Sequence, residues 1–245
     1  MSLVVPAVLP SSRADLEEKL ERFALIPHVS RVQIDVVDGT FASPASWPFS
    51  ARAAKGEPTE LEVMVRDGKM LSHLHRIAYE IDLMCLDAAQ EAGKWVALGA
   101  SRLTFHVESF IDLPRFLTEF RARFGCGLIS CDLISIGLAI NIETDLSLIE
   151  PYLDQVDYVQ FMGIARIGRQ GQAFDRRVLE KMRVFGMRNP NVITQVDGGV
   201  SLEAAKELIA LGVSNLVVGS GILRAEDPAA LVAQFEALRT PSFKG

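Results

Sequence analysis

QIDVVDGTF, residues 33–41, carries an apolar strand into two acidic residues and a glycine. Period-2 alternation puts Gln33 and Asp35 on one side of that strand, with Ile34 and Val36 on the other. An inward Gln-x-Asp pair in an apolar strand costs free energy unless it is satisfied or used. Carboxylates placed where a buried strand becomes a loop point to an α/β protein whose chemistry sits at strand ends. QVDGGV, residues 195–200, repeats the pattern near the other end of the chain.

Working outward, short apolar runs alternate with longer amphipathic segments. The runs LVVPAVL (3–9), RVQIDV (31–36), ELEVMV (60–65), RLTFHV (102–107), IGLAI (136–140), VDYVQFM (156–162), NVITQV (191–196) and NLVVGS (215–220) read as strands. Most are apolar on both faces, as parallel strands covered by helices are. The segments between them carry helix signals. Ser12 precedes Leu16, Leu20 and Phe23 at helical spacing, and Leu113-Pro114 opens a run with Phe116, Phe120 and Phe124 on one face. Ser201 caps a run that Gly212 stops, and Asp227-Pro228 starts the last helix. Eight βα units predict an α/β fold, a single (β/α)8 TIM barrel over residues 1–245. A doubly wound open sheet is the alternative, and the regular repetition favours closure. The stretch 66–99 exceeds what one barrel helix needs and reads as a long helix, two helices or a subunit contact.

The bulk properties exclude several classes. The 245 residues carry 49% hydrophobic side chains, enough for a large core, and a net charge of −6. That balance argues against nucleic acid as the partner, because phosphate-backbone contacts need clustered Lys and Arg. Cys85, Cys126 and Cys131 have no metal spacing and read as buried or free thiols in a reducing compartment. No apolar run reaches membrane-spanning length and the start lacks a signal-peptide pattern, so the expectation is a soluble cytoplasmic protein without a membrane partner.

In a barrel the polar residues at strand ends carry the chemistry. They are Gln33, Asp35 and Asp38 after the second strand, Glu62 on the third, His106 and Glu108 on the fourth, Asn141 on the fifth and Asp197 on the seventh. Asp38 reads as the residue that orders the turn before Gly39, and His106 either lines the site or is a satisfied core histidine. Glycine-rich loops follow the last three strands: GIARIGRQGQ (163–172), DGG (197–199) and GSG (219–221). Gly171, Gly198, Gly199, Gly219 and Ser220 are the candidate phosphate contacts, because backbone N–H groups in these loops can approach an anion closely. Arg166 and Arg169 could add charge there.

Along almost its whole length the chain resembles the ribulose-phosphate 3-epimerase family. The resemblance rests on VVPAVLP, QIDVVDGTF, ELEVMV with Met64, LGASRLTFHVES, VDYVQFM, GQAFDRRVLEKMR, QVDGGVSLEAA and VVGSGIL, in that order. It implies a ribulose-phosphate-binding barrel that moves a proton at C3 of a phosphorylated ketopentose through an enediolate. Asp35 and Asp197 would be the acid and base on opposite faces of the sugar. It also implies a divalent metal held by those aspartates and two histidines. The histidine positions fall on Gln33 and Glu62, the family's strand-1 serine on Ala7, and GIARIGRQGQ replaces an Asn-Pro-Gly loop. Three readings stay open. Gln33, Asp35, Glu62 and Asp197 hold a hard cation such as Mg²⁺ or Mn²⁺; or the site is metal-free, with Gln33 as donor and Glu62 as an extra acid or base; or catalysis is lost and only sugar-phosphate binding, or action on another sugar phosphate, remains. A homo-oligomer is an open expectation. The related decarboxylase and aldol-type barrels carry Asp-x-Lys-x-x-Asp, and no lysine lies between residues 20 and 54.

Overall fold

The computed structural model describes residues 2–51, 57–124 and 134–239. Cys126 and Cys131 lie outside them; Cys85 is a buried free thiol whose pKa burial pushes up.

Eight parallel strands pair in chain order and close, β8 pairing with β1. They are β1 (Val4–Val8), β2 (Arg31–Val37), β3 (Ala78–Met84), β4 (Ala100–His106), β5 (Ser135–Ile140), β6 (Tyr158–Met162), β7 (Thr194–Asp197) and β8 (Asn215–Val218). The α-helices are α1 (Arg13–Ala24), α2 (Glu60–Arg66), α3 (Ala88–Ala97), α4 (Leu113–Phe124), α5 (Arg177–Arg188), α6 (Leu202–Ala210), α7 (Ser220–Leu223) and α8 (Pro228–Ala237). The crossover from β5 to β6 is made by short 3₁₀ turns at Leu146–Leu148 and Glu150–Gln155. Capping signals work as read. Ser12 accepts from the Asp15 N–H at 3.1 Å and Asp227 from the Ala230 N–H at 2.9 Å, each satisfying a donor that the helix leaves open.

One expected strand is wrong. ELEVMV is not the third strand but helix α2, started by a reciprocal capping box between Thr59 and Glu62 that buries Leu61 and Met64 on one face. Its alternating valines imitate a strand. The true third strand, AYEIDLM, lies within 66–99, and α3 follows it, which accounts for the length of that stretch. His73 and His75 sit in the turn before β3, not on a helix.

The strands divide the interior into two environments. Outward side chains such as Ile34, Val36, Ile81, Leu83, Phe105 and Phe161 join one apolar core with the helices. Inward side chains form only small apolar groups: Val5, Ala7 and Val217; Val37 and Met84; Ala139 and Met162. The rest of the barrel interior is polar and buried, including Gln33, Asp35, Glu80, Asp82, Gln160 and Asp197. A barrel filled this way must satisfy its polar groups internally.

Candidate active site

Register brings the strand-end residues together. β2 and β3 pair Gln33 with Glu80 and Asp35 with Asp82. On the far side β7 ends at Asp197, opposite Met162 of β6 and Val217 of β8. One oxygen each from Asp35, Asp82 and Asp197 can be chosen so that all lie within 4.8 Å of one another. Gln33 bridges two of them, its amide nitrogen donating to Asp35 Oδ1 at 2.9 Å and to Asp197 Oδ2 at 2.8 Å. On the other flank Asp82 is held by Gln160 Nε2 at 2.9 Å and lies 3.1 Å from His106 Nε2.

Crowded buried carboxylates resist ionisation. Burial, then the charges of Asp197 and Asp82, hold Asp35 well above the usual carboxylate range, eased by Gln33 and Gln170. Burial and the Asp82 charge raise Asp197 to about 7, again eased by Gln33. Burial alone would lower His106, but the charges of Asp82, Glu108 and Asp197 outweigh it and raise its pKa. The site therefore keeps protons near neutrality on groups that ordinarily lose them.

Glu62 is not part of this cluster. It stands on α2, is half exposed, and pairs with Lys94 at 3.1 Å. The strand-3 carboxylate at the site is Asp82, which sequence reasoning passed over. The signal for it was available: QID (33–35), EID (80–82) and QVD (195–197) repeat one polar–aliphatic–Asp triplet. Asp38 orders its turn, accepting from the N–H groups of Thr40 and Phe41 at 2.7 Å each and from Leu86 at 2.8 Å.

Above the carboxylates opens a cavity of about 310 Å³, lined by Asp35 and Asp197 and by the three glycine loops, with Gly171, Gly198, Gly199, Gly219 and Ser220 all on its wall. Gly199 has φ +68°, and a Cβ there would lie 2.6 Å from the Phe174 backbone nitrogen, so only glycine fits. Arg169 lines the cavity and donates to the Ser43 carbonyl at 3.0 Å, whereas Arg166 stands off it. Arg224, absent from the sequence-based candidates, lines it beside Gly171, and its guanidinium has no hydrogen-bond or ion-pair partner among the described residues. An exposed cation of this kind beside a glycine-lined wall suits an anionic ligand.

The donor set also fits a cation. Three carboxylates converge with His106 beside one of them, Asp82, and Gln33 Oε1 is buried without a partner among the described residues. Rotating that amide would add a fourth oxygen. An all-oxygen set matches Mg²⁺ or Mn²⁺ better than softer metals.

A closed parallel barrel with a proton-holding carboxylate cluster at its C-terminal mouth belongs to the class of α/β-barrel enzymes. The model of the ribulose-phosphate 3 epimerase family matches residues 61–223. The ribulose-phosphate 3-epimerase of Aquifex aeolicus is 32% identical over 177 residues, covering 69% of this chain and 75% of that protein. The Escherichia coli K12 enzyme of the same name is 26% identical over 234 residues, covering 92% and 90%. Among solved structures, KGPDC from Streptococcus mutans superimposes with a TM-score of 0.62 at 15% identity, covering 97% of each chain, a likeness of fold. The chain belongs to the ribulose-phosphate 3-epimerase family.

Proposed function

We propose that the protein interconverts ketopentose phosphates of the ribulose 5-phosphate and xylulose 5-phosphate type by moving the proton at C3. The observation that carries this reading is the pair of Asp35 and Asp197, joined through the Gln33 amide and both held above the ordinary carboxylate range. Coupled carboxylates of this kind share protons as a pair. The charged member removes the C3 proton from one face, giving an enediolate. The protonated member delivers a proton to the other face, which inverts the centre. The strand-end glycines and Arg224 receive the phosphate. Asp35, Asp82 and Asp197 would hold a divalent cation, the Gln33 amide then turning its oxygen toward it in place of the bridging N–H groups. Such a cation supplies positive charge to the carbonyl and enediolate oxygens.

The test is ribulose 5-phosphate in D₂O followed by NMR. Deuterium entering at C3 together with xylulose 5-phosphate supports the reading; an unlabelled, unchanged sugar after long incubation with Mg²⁺ or Mn²⁺ sinks it. The second reading, action on a different sugar phosphate, is favoured by Gln33 standing where the resemblance implies a histidine, and by a carboxylate, Asp82, at the end of β3. It predicts exchange with another ketose phosphate and none with ribulose 5-phosphate.

A further inference from the structure

The cavity wall between β8 and β2 is formed by β1, whose inward residues are Val5 and Ala7. That sector offers a ligand no polar side chain from the strand itself. Gln170 reaches into it from the loop after β6. Its amide nitrogen would lie 2.6 Å from a Cβ placed on Gly219, so it stands directly over the glycine wall. It also stands close enough to Asp35 to favour the charged carboxylate. The same Nε2 is buried and makes no hydrogen bond among the described residues. A buried donor left open in this way is costly, and here it faces the cavity that Asp35, Asp197 and Gly219 share.

We infer that Gln170 is a specificity residue, donating a hydrogen bond to the hydroxyl on the carbon between the reacting carbon and the phosphate-bearing carbon of the sugar. This rests on the reading of the site given above. In a ketopentose 5-phosphate reacting at C3, only C4 lies between the reacting carbon and the phosphate arm. A donor placed between Asp35 and the glycine wall meets the C4 oxygen. A site built to hydrogen-bond a hydroxyl rejects the analogue that lacks it, because its own polar group is then left unpaired.

The experiment compares wild type with Gln170→Ala by calorimetry, using D-ribulose 5-phosphate, its 4-deoxy analogue and inorganic phosphate. Wild type should bind the hydroxylated sugar about tenfold more tightly than the deoxy analogue, and the variant should lose that discrimination through weaker binding of the hydroxylated sugar alone. Inorganic phosphate should bind both proteins equally, which shows that the cradle is intact in the variant. Equal weakening of both sugars, no weakening of either, or loss of phosphate binding in Gln170→Ala would overturn the inference. Wild type that binds phosphate but not ribulose 5-phosphate would remove the functional reading beneath it, an outcome seen before any variant is made.

Discussion

The barrel interior holds two buried polar regions that differ in how charge is arranged. Near the strand starts, Glu80 accepts from Arg102 Nε at 2.9 Å and from Thr104 at 3.2 Å, and Arg31 lies 3.6 Å away. The Arg102 guanidinium lies 3.9 Å from the centre of the Tyr158 ring. Near the strand ends, Asp35, Asp82 and Asp197 meet with no arginine paired to them among the described residues. Burial raises Glu80 as it raises Asp197. The two arginines and Gln195 more than reverse it and bring Glu80 below its ordinary range, whereas Asp197 rises to about 7. Desolvation is thus common to both regions, and partners decide the sign. Gln195 and Gln160 join them: Gln195 donates to Glu80 and, at 2.7 Å, to Gln160, whose own amide donates to Asp82. The lower region is built for stability; the upper holds protons.

The sharpest break falls on the upper region. On the proposed function, Asp35→Asn and Asp197→Asn each remove a proton carrier while keeping the shape, and should each lower kcat on the order of 10³-fold with KM nearly unchanged. Steady-state kinetics with ribulose 5-phosphate checks this. A loss confined to KM would show that the pair binds rather than reacts. Breaking the lower region should act on stability instead. Arg102→Met strips Glu80 of its nearest cation and should destabilise by about 3 kcal/mol in urea unfolding. An unchanged midpoint would mean that Arg31 alone suffices.

The two regions should also respond oppositely to pH. Asp197 holds its proton in the folded chain up to about 7, whereas the unfolded chain releases it near ~3.9. Stability in chelator should therefore fall as pH rises between those values, then stay level. Glu80 is lowered, so its contribution is present above the ordinary glutamate range and is lost as pH falls through its folded value. A cation on the upper cluster would offset the loss at high pH. Mn²⁺ or Mg²⁺ at a hundredfold excess over its Kd at pH 8 should stabilise by about 2.7 kcal/mol there, and by less at the same concentration at pH 5, and Asp82→Asn should abolish most of that shift. Thermal unfolding with and without chelator reads it; a shift that survives in Asp82→Asn would place the ion elsewhere.

Much of this was legible in the residues. Strands with apolar inward residues or a clear polar end, β1, β2 and β4 to β8, stood out, as did the glycine loops and the Asp35 and Asp197 positions. β3 did not, because its inward residues Glu80 and Asp82 break the apolar run that marks a buried strand, while α2 carries valines in alternation. Asp82 was hidden with its strand. Gln160, Gln195 and Gln170 were hidden for another reason: an amide becomes informative only when barrel closure shows what it faces.

Glu62 gives the smallest effect and the cleanest separation of the two readings of strand 3. If ELEVMV were a barrel strand, Glu62 would be an acid or a metal ligand, and Glu62→Gln would cripple turnover. On α2 its carboxylate instead closes the capping box, accepting from the Thr59 N–H at 2.8 Å, and meets Lys94 at the surface. A glutamine keeps the capping hydrogen bond and loses only the ion pair, which at a half-exposed position contributes less than about 1 kcal/mol. Glu62→Gln should therefore leave kcat and divalent-cation affinity within about twofold of wild type, because the carboxylate lies on a different element from the cluster that Asp35, Asp82 and Asp197 form. A large loss of cation affinity in this variant would return strand 3 to residues 60–65 and undo the barrel register on which the site is built.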